Sequence, residues 1–529
     1  MLRVLKSGLF PVLLAVICLL SLIMGGCAAG GSPPEGVSFS EAATLYPEVD
    51  EFIQQQIQAD DIPGVAVVVV QGSEVIYCKG FGVASLETDK PLTPQTIFDL
   101  ASVSKSFTAL GVLLLQDEAL IDIDTPVQYY LPDFQPNDER ASQITVRQLL
   151  NHTSGLPGAF SAPLIFQEGE DEMKVLVAAL SRVRLNRDPG SSFEYADINY
   201  CLLGALIERV TGTTFEEYMQ QSIFDPLGME NTTLYPDKAA ALGRADGHQP
   251  LYGRIVTRNM PVYRSALPAG WVMSCAEDMA EWLIVHLNNG LNAEGQVFPE
   301  DCIQAAHTTA VLFEENGQEM GYGMGWFIND SNDTQLIWHG GDTPTFTADM
   351  VLLPEYDAGV VVLVNSQACT IGHSIAPGVI NRIFGLELEA MTVPWWAHWK
   401  AIDTMATFAL VVITLMLLAM VFYIWWLWRQ FRKGERCLIG SSLAGPLPPA
   451  WQMTLYMVLL ALLAMFSFAS YLVVRTLYGY NLFEVLVLFR LGSPPGVYIS
   501  GVVLLVVLFL WALLLALVAI FTRSSKAKA

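Results

Sequence analysis

The sequence predicts an α/β (α+β) domain, an antiparallel sheet flanked by helices with a helical lobe inserted, followed by three transmembrane helices. Three observations carry this reading. Runs of β-branched and apolar residues lie at both ends of the first 385 residues, while residues 121–250 are rich in helix and turn signals. Of the 529 residues 53% are hydrophobic, too many for a water-soluble chain of this length. That excess gathers at the N-terminus and after residue 400, so it belongs to membrane segments on either side of a domain.

Residues 1–27 have the form of an export signal. Arg3 and Lys6 give a basic start, Leu9 to Met24 an apolar core, and Gly25-Gly26-Cys27 follows. Small residues before a cysteine resemble a bacterial lipoprotein cleavage box, with Cys27 as the lipidated residue; ordinary cleavage and an uncleaved anchor are the alternatives. Residues 28–40, with Gly, Ser and Pro over Gly30 to Val37, form a tether. The domain spans 41–390. Glu41 to Ala59 is an amphipathic helix stopped by Ile62-Pro63-Gly64. Val65 to Val70 and Val75 to Phe81 form a hairpin turned at Gln71-Gly72-Ser73-Glu74, and the first strand is apolar enough to be buried on both faces. An apolar helix follows Phe98. Strands return at Gly325 to Ile328, Gln335 to His339, Thr345 to Leu353 and Gly359 to Asn365, and a helix from Ile375 to Phe384 closes the domain.

The membrane region covers 395–529, with spans near 404–428, 451–474 and 497–521. Arg429, Arg432, Lys433 and Arg436 follow the first span, and Arg523, Lys526 and Lys528 the third. Basic residues mark the cytoplasmic side, so the domain is expected outside the cell and the C-terminus inside. No ionisable residue lies mid-span, which favours an anchor over a transport path. A net charge of −24 argues against nucleic acid as a partner. The eight cysteines show no repeated spacing, hence no disulfide framework and no metal site is expected.

The chemistry is expected at Phe98 to Phe107. With a helix beginning near Ser102, Ser102 and Lys105 stand at i and i+3 and face the same way. A serine needs a base beside it, and a buried lysine with a lowered pKa is one. A helix start adds N–H groups and a positive dipole end suited to an oxyanion. Tyr195, just ahead of an apolar helix from Cys201 to Val210, is a second base if a cation such as Lys105 lowers its pKa. His339 sits where a strand meets Gly340-Gly341 and would supply a proton or positive charge to a substrate carboxylate. Read singly, an N-cap serine, a packing tyrosine and a loop histidine account for the same residues.

Together these stretches resemble the serine β-lactamase and penicillin-binding-protein family, in the branch of class C β-lactamases and related esterases and peptidases. Ser102-x-x-Lys105 matches its first motif. Tyr195-Ala196-Asp197 matches Tyr-x-Asn with Asp in place of Asn. His339-Gly340-Gly341 matches the third motif in its His-x-Gly form. Thr145 to Gly158 and Pro226-Leu227-Gly228-Met229 are similar to loop sequences of the branch. The resemblance covers about residues 45–385 and implies acyl-enzyme formation on Ser102, proton transfer by Lys105 and Tyr195, and an oxyanion held by the backbone N–H of Ser102 and one after Gly341, at Asp342. It implies no cofactor. The implied substrate is a small molecule or peptide with a carbonyl centre, cell-wall derived or otherwise. Asp197 adds negative charge beside Lys105, and His339 replaces a fixed lysine charge. Both departures favour esters or peptides over an antibiotic. The alternative from another class is a non-catalytic sensor or binding protein of the same fold.

Overall fold

The computed structural model describes residues 46–524 apart from 159–170, 259, 316, 330–333, 368–371, 389–397 and 439–494. The export signal, Cys27, the tether and the span expected at 451–474 lie outside the described residues.

Helix α1 (Pro47–Asp60) starts with proline at its first turn, where a missing N–H costs nothing. It leads into strand β1 (Gly64–Gln71), which pairs with β2 (Glu74–Ser85) and through it with the short β3 (Lys90–Pro91). After a long helical insertion come a hairpin, β4 (His248–Leu251) and β5 (Arg254–Thr257), and then β6 (Val311–Glu315), β7 (Gln318–Tyr322), β8 (Phe327–Asn329), β9 (Leu336–Asp342), β10 (Thr347–Leu353) and β11 (Ala358–Val364). One antiparallel sheet runs in the order β6-β7-β8-β9-β10-β11-β1-β2-β3. The first strand of this sheet therefore docks beside the sheet's last in sequence, pairing Val67 with Val362.

The valine run of β1 explains why the sheet is covered on both faces. Side chains alternate with a period of two. Val65, Val67 and Val69 face a core built with α1 and a C-terminal helix (Gly372–Phe384). Ala66, Val68 and Val70 face the larger core of the helical lobe, with Phe107, Leu110 and Trp282. In that lobe are α2 (Ser104–Asp117) and α3 (Asp197–Thr211), the latter ended by Gly212 at φ 73°.

Two differences from the sequence expectation matter for the site. The strand expected at Gly325 begins instead at Phe327, because Gly325 turns at φ 84°, with its α-carbon face pressed on Lys105 O and Ala109 of α2. The outer hairpin β6–β7 was not expected at all.

Two helices, Trp399–Arg432 and Pro495–Phe521, are long and apolar enough to cross a membrane. They coincide with the first and third expected spans. The hairpin β4–β5 reaches both. Asp403 of the first helix accepts the backbone N–H groups of Tyr252 (2.8 Å) and Gly253, and Tyr252 Oη contacts Gly496 O (3.2 Å) and Ser500 Oγ (3.0 Å) of the second.

Candidate active site

Ser102 lies in a 3-10 turn, Ala101–Val103, that runs directly into α2, so the helix proper begins two residues later than the sequence suggested. The serine still meets Lys105, since both turn types bring i and i+3 together. Ala101 ahead of it holds φ at 48°, a left-handed conformation uncommon for alanine. Ser104 and Ser106 are spent elsewhere: Ser104 Oγ accepts from Val272 N (2.9 Å) and Ser106 Oγ donates to Val103 O (2.8 Å).

Lys105 is wholly buried and its ammonium donates three bonds, to Ser102 Oγ (3.0 Å), Asp197 Oδ1 (2.6 Å) and Ala269 O (2.7 Å). The segment supplying Ala269 is stapled to the same helix by Thr108 Oγ1, which donates to Pro268 O (2.7 Å). Tyr195 closes the group, with its ring 4.9 Å from the ammonium and its phenol in electrostatic reach of Lys105 and Ser102. Burial pulls the Lys105 pKa down, but Asp197 and then Tyr195 outweigh it and leave it above the ordinary lysine value. Burial pushes the Tyr195 phenol up, more than Lys105 pulls it down. The resting site is an ammonium beside a neutral phenol.

Strand β9 closes the site from the other side. A Cβ on Gly341 would stand 2.7 Å from Ser102 N and 2.6 Å from Leu100 O, so only glycine lets this strand lie against the serine turn. Asp342 follows directly. Its carboxylate is turned aside, Oδ1 accepting from Thr347 Oγ1 (2.9 Å) and Oδ2 from His373 Nε2 (3.0 Å). Burial lowers the His373 pKa, yet Asp342 and Asp349 raise it further, to about 10. The positive charge expected at His339 is therefore at His373. His339 is buried, lies against Gly340 O (2.6 Å) and Tyr322 Oη (3.3 Å), and burial drives its pKa down to about 3, so it is neutral.

The cleft over Ser102 holds about 820 Å³. One wall is aromatic: Phe193 stacks on Phe313 (4.1 Å) and Phe327 on Trp338 (4.7 Å). Phe313 comes from the unexpected hairpin β6–β7. Compared with known protein families, residues 49–370 match the Beta-lactamase family. The chain belongs to that family.

Among similar proteins, Protein flp of Staphylococcus aureus (strain N315) is 28% identical over 326 residues, 60% of this chain and 62% of its own length. Penicillin-binding protein 4* of Bacillus subtilis (strain 168) is 26% identical over 364 residues, covering 64% of this chain and 76% of its own. The chain thus spans under two thirds of the staphylococcal relative. A solved octameric penicillin-binding protein homologue from Pyrococcus abyssi superposes with a TM-score of 0.56 at 26% identity, over 64% of this chain and 77% of the other.

Within this Beta-lactamase-family domain, Ser102, Lys105, Tyr195, Asp197, His339, Gly341 and Asp342 converge from separate elements onto one cleft or its immediate floor. Sequence reasoning missed three contributors. Phe313 was announced by Asn316-Gly317, a hairpin signal between two short apolar runs. His152 stood inside a quoted stretch without a role. His373 had no signal, because its importance lies in two aspartates brought to it by folding. Among the described residues no cluster of His, Cys, Asp and Glu has the make-up of a metal site.

Proposed function

We propose that this chain is a membrane-held extracytoplasmic serine hydrolase that forms an acyl-enzyme on an ester or amide carbonyl. The observation that carries the proposal is the 3.0 Å contact of Ser102 Oγ with the buried Lys105 Nζ, with the Tyr195 ring against that ammonium, beside the Gly341 strand. Ser102 Oγ bonds to the carbonyl carbon. The Tyr195–Lys105 pair, once it has lost one proton, takes up the serine's proton and returns it to the leaving group as the tetrahedral adduct collapses. The developing oxyanion is held by the backbone N–H of Ser102 and of Asp342. Water then cleaves the acyl ester by the same steps reversed.

A neutral His339 offers no charge for a β-lactam carboxylate, and Asp197 offers acceptors where an asparagine would also donate. Both support an ester or D-specific peptide over an antibiotic. The aromatic wall suits a bulky apolar acyl group. The two long apolar helices support membrane anchoring, and the basic residues after them support a domain outside and a C-terminus inside. Cys27 is proposed as a lipid attachment site.

A fluorophosphonate or penicillin probe tests the chemistry. Mass spectrometry should place the adduct on a peptide containing Ser102, and Ser102→Ala should abolish labelling. An adduct on another serine, or undiminished labelling of Ser102→Ala, defeats the assignment.

A further inference from the structure

His152 lies in the loop after a short helix (Val146–Leu150) and is wholly buried, with φ at 58°. A non-glycine residue held in that region marks a position the surroundings insist on. Its backbone carbonyl accepts Glu194 N–H (2.9 Å). Its ring Nδ1 accepts Ala196 N–H (3.2 Å). The two amides flanking Tyr195 are thus both bound by one residue. Its ring also lies against the Tyr195 ring, with centroids 4.4 Å apart.

The protonation of that ring follows from its partners. A backbone N–H can only donate, so Nδ1 must carry a lone pair. A second donor reaches the same atom: Asn199 Nδ2, at 3.0 Å. Ser154 Oγ donates to Asn199 Oδ1 (2.7 Å), which fixes that amide with its NH₂ group toward the ring. The hydrogen of the neutral imidazole is therefore on Nε2. That atom has no hydrogen-bond partner among the described residues, and the ring that carries it packs against Tyr195, Tyr200 and Tyr322. Burial and the Lys105 charge keep the ring from taking a second proton.

We infer that His152 is a positioning residue for Tyr195, holding the phenol within reach of Ser102 by pinning the backbone on both sides of it and backing its ring. The inference rests on the acyl-enzyme reading given above. His152 touches no reacting atom. It acts through Tyr195, whose oxygen must meet both Ser102 and Lys105, and small misplacements at that distance are costly to rate.

A double-mutant cycle with the fluorophosphonate acylation rate of Ser102 as readout tests this. His152→Phe retains ring size and removes the acceptor. In the otherwise native chain it should slow acylation by about tenfold or more, with probe affinity nearly unchanged. In a Tyr195→Phe background the same change should cost less than about twofold, because the group it positions is gone. Equal losses in both backgrounds would overturn the inference and leave a purely structural histidine. If His152→Phe does not fold, His152→Gly, at ease at positive φ, carries the same cycle with the same expected outcomes. Failure of this cycle with the adduct still on Ser102 removes only the role of His152; loss of the Ser102 adduct itself removes the reading beneath it.

Discussion

Gly341 and Asp197 set the terms for Ser102, one by its missing Cβ and one by its charge. In Gly341→Ala the new methyl would meet Leu100 O, Ser102 N and Ala101 Cβ, all within 2.9 Å. The strand must retreat and take Asp342 N–H with it. Loss of one oxyanion donor costs roughly 100-fold in rate, so Gly341→Ala should acylate at least about that much more slowly while its circular dichroism stays native. Asp197→Asn acts on the proton. Removing the carboxylate takes away the main support of the raised Lys105 pKa, leaving burial to pull it down. The Tyr195–Lys105 pair then sheds its proton at lower pH, and the alkaline rise of the rate profile should move to lower pH. A shift to higher pH would contradict the assigned partners. Ser102, Lys105 and Tyr195 were legible in the sequence because spacing along a helix and short motifs are local facts. The neutrality of His339 and the charge on His373 were not, because the first is set by burial and the Lys105 charge and the second by Asp342 and Asp349, all brought together only by folding.

At the scale of elements, β1 was the most legible feature, since six consecutive β-branched or small apolar residues have few homes other than a strand covered on both faces. Helix α2 was legible for the same reason. The hairpin β6–β7 was less so: Asn316-Gly317 signals a turn, but Val311 to Glu315 alternates weakly and ends in two glutamates, and its value comes from Phe313 stacking on Phe193 in the aromatic wall. That contact makes the hairpin part of the lining of the cleft over Ser102 rather than a mere sheet edge. Phe313→Ala removes the stack, which is worth about 1 kcal/mol beyond area. For an aromatic-acyl ester the expected result is a KM raised several-fold with kcat little changed, whereas a short acetyl ester should be almost indifferent. Steady-state kinetics with the two esters make the comparison.

At the scale of the whole molecule, the Beta-lactamase-family domain and the apolar helices meet at a small polar joint. Asp403 is buried at the start of the first apolar helix and caps the Tyr252-Gly253 turn. Lys400, three residues earlier, bonds Ala59 O and lies 3.2 Å from Asp61 at the end of α1. Asp403→Ala should release the turn, so that the amides of Tyr252 and Gly253 exchange hydrogen at least about tenfold faster by mass spectrometry while the central sheet keeps its protection. Unchanged exchange there would deny the joint. The other end of the same hairpin grips the cleft: His248 N donates to Thr345 O (3.3 Å), and Gln249 Nε2 donates to Pro344 O, just past Asp342. A lobe held in this way has lost the freedom of a ball on a string. Its mouth keeps one bearing and one height relative to the apolar pair. On the reading proposed above, of two esters with the same chemistry the one whose carbonyl is presented at that height would meet the serine at a far higher effective concentration, adding selection by altitude to selection by shape.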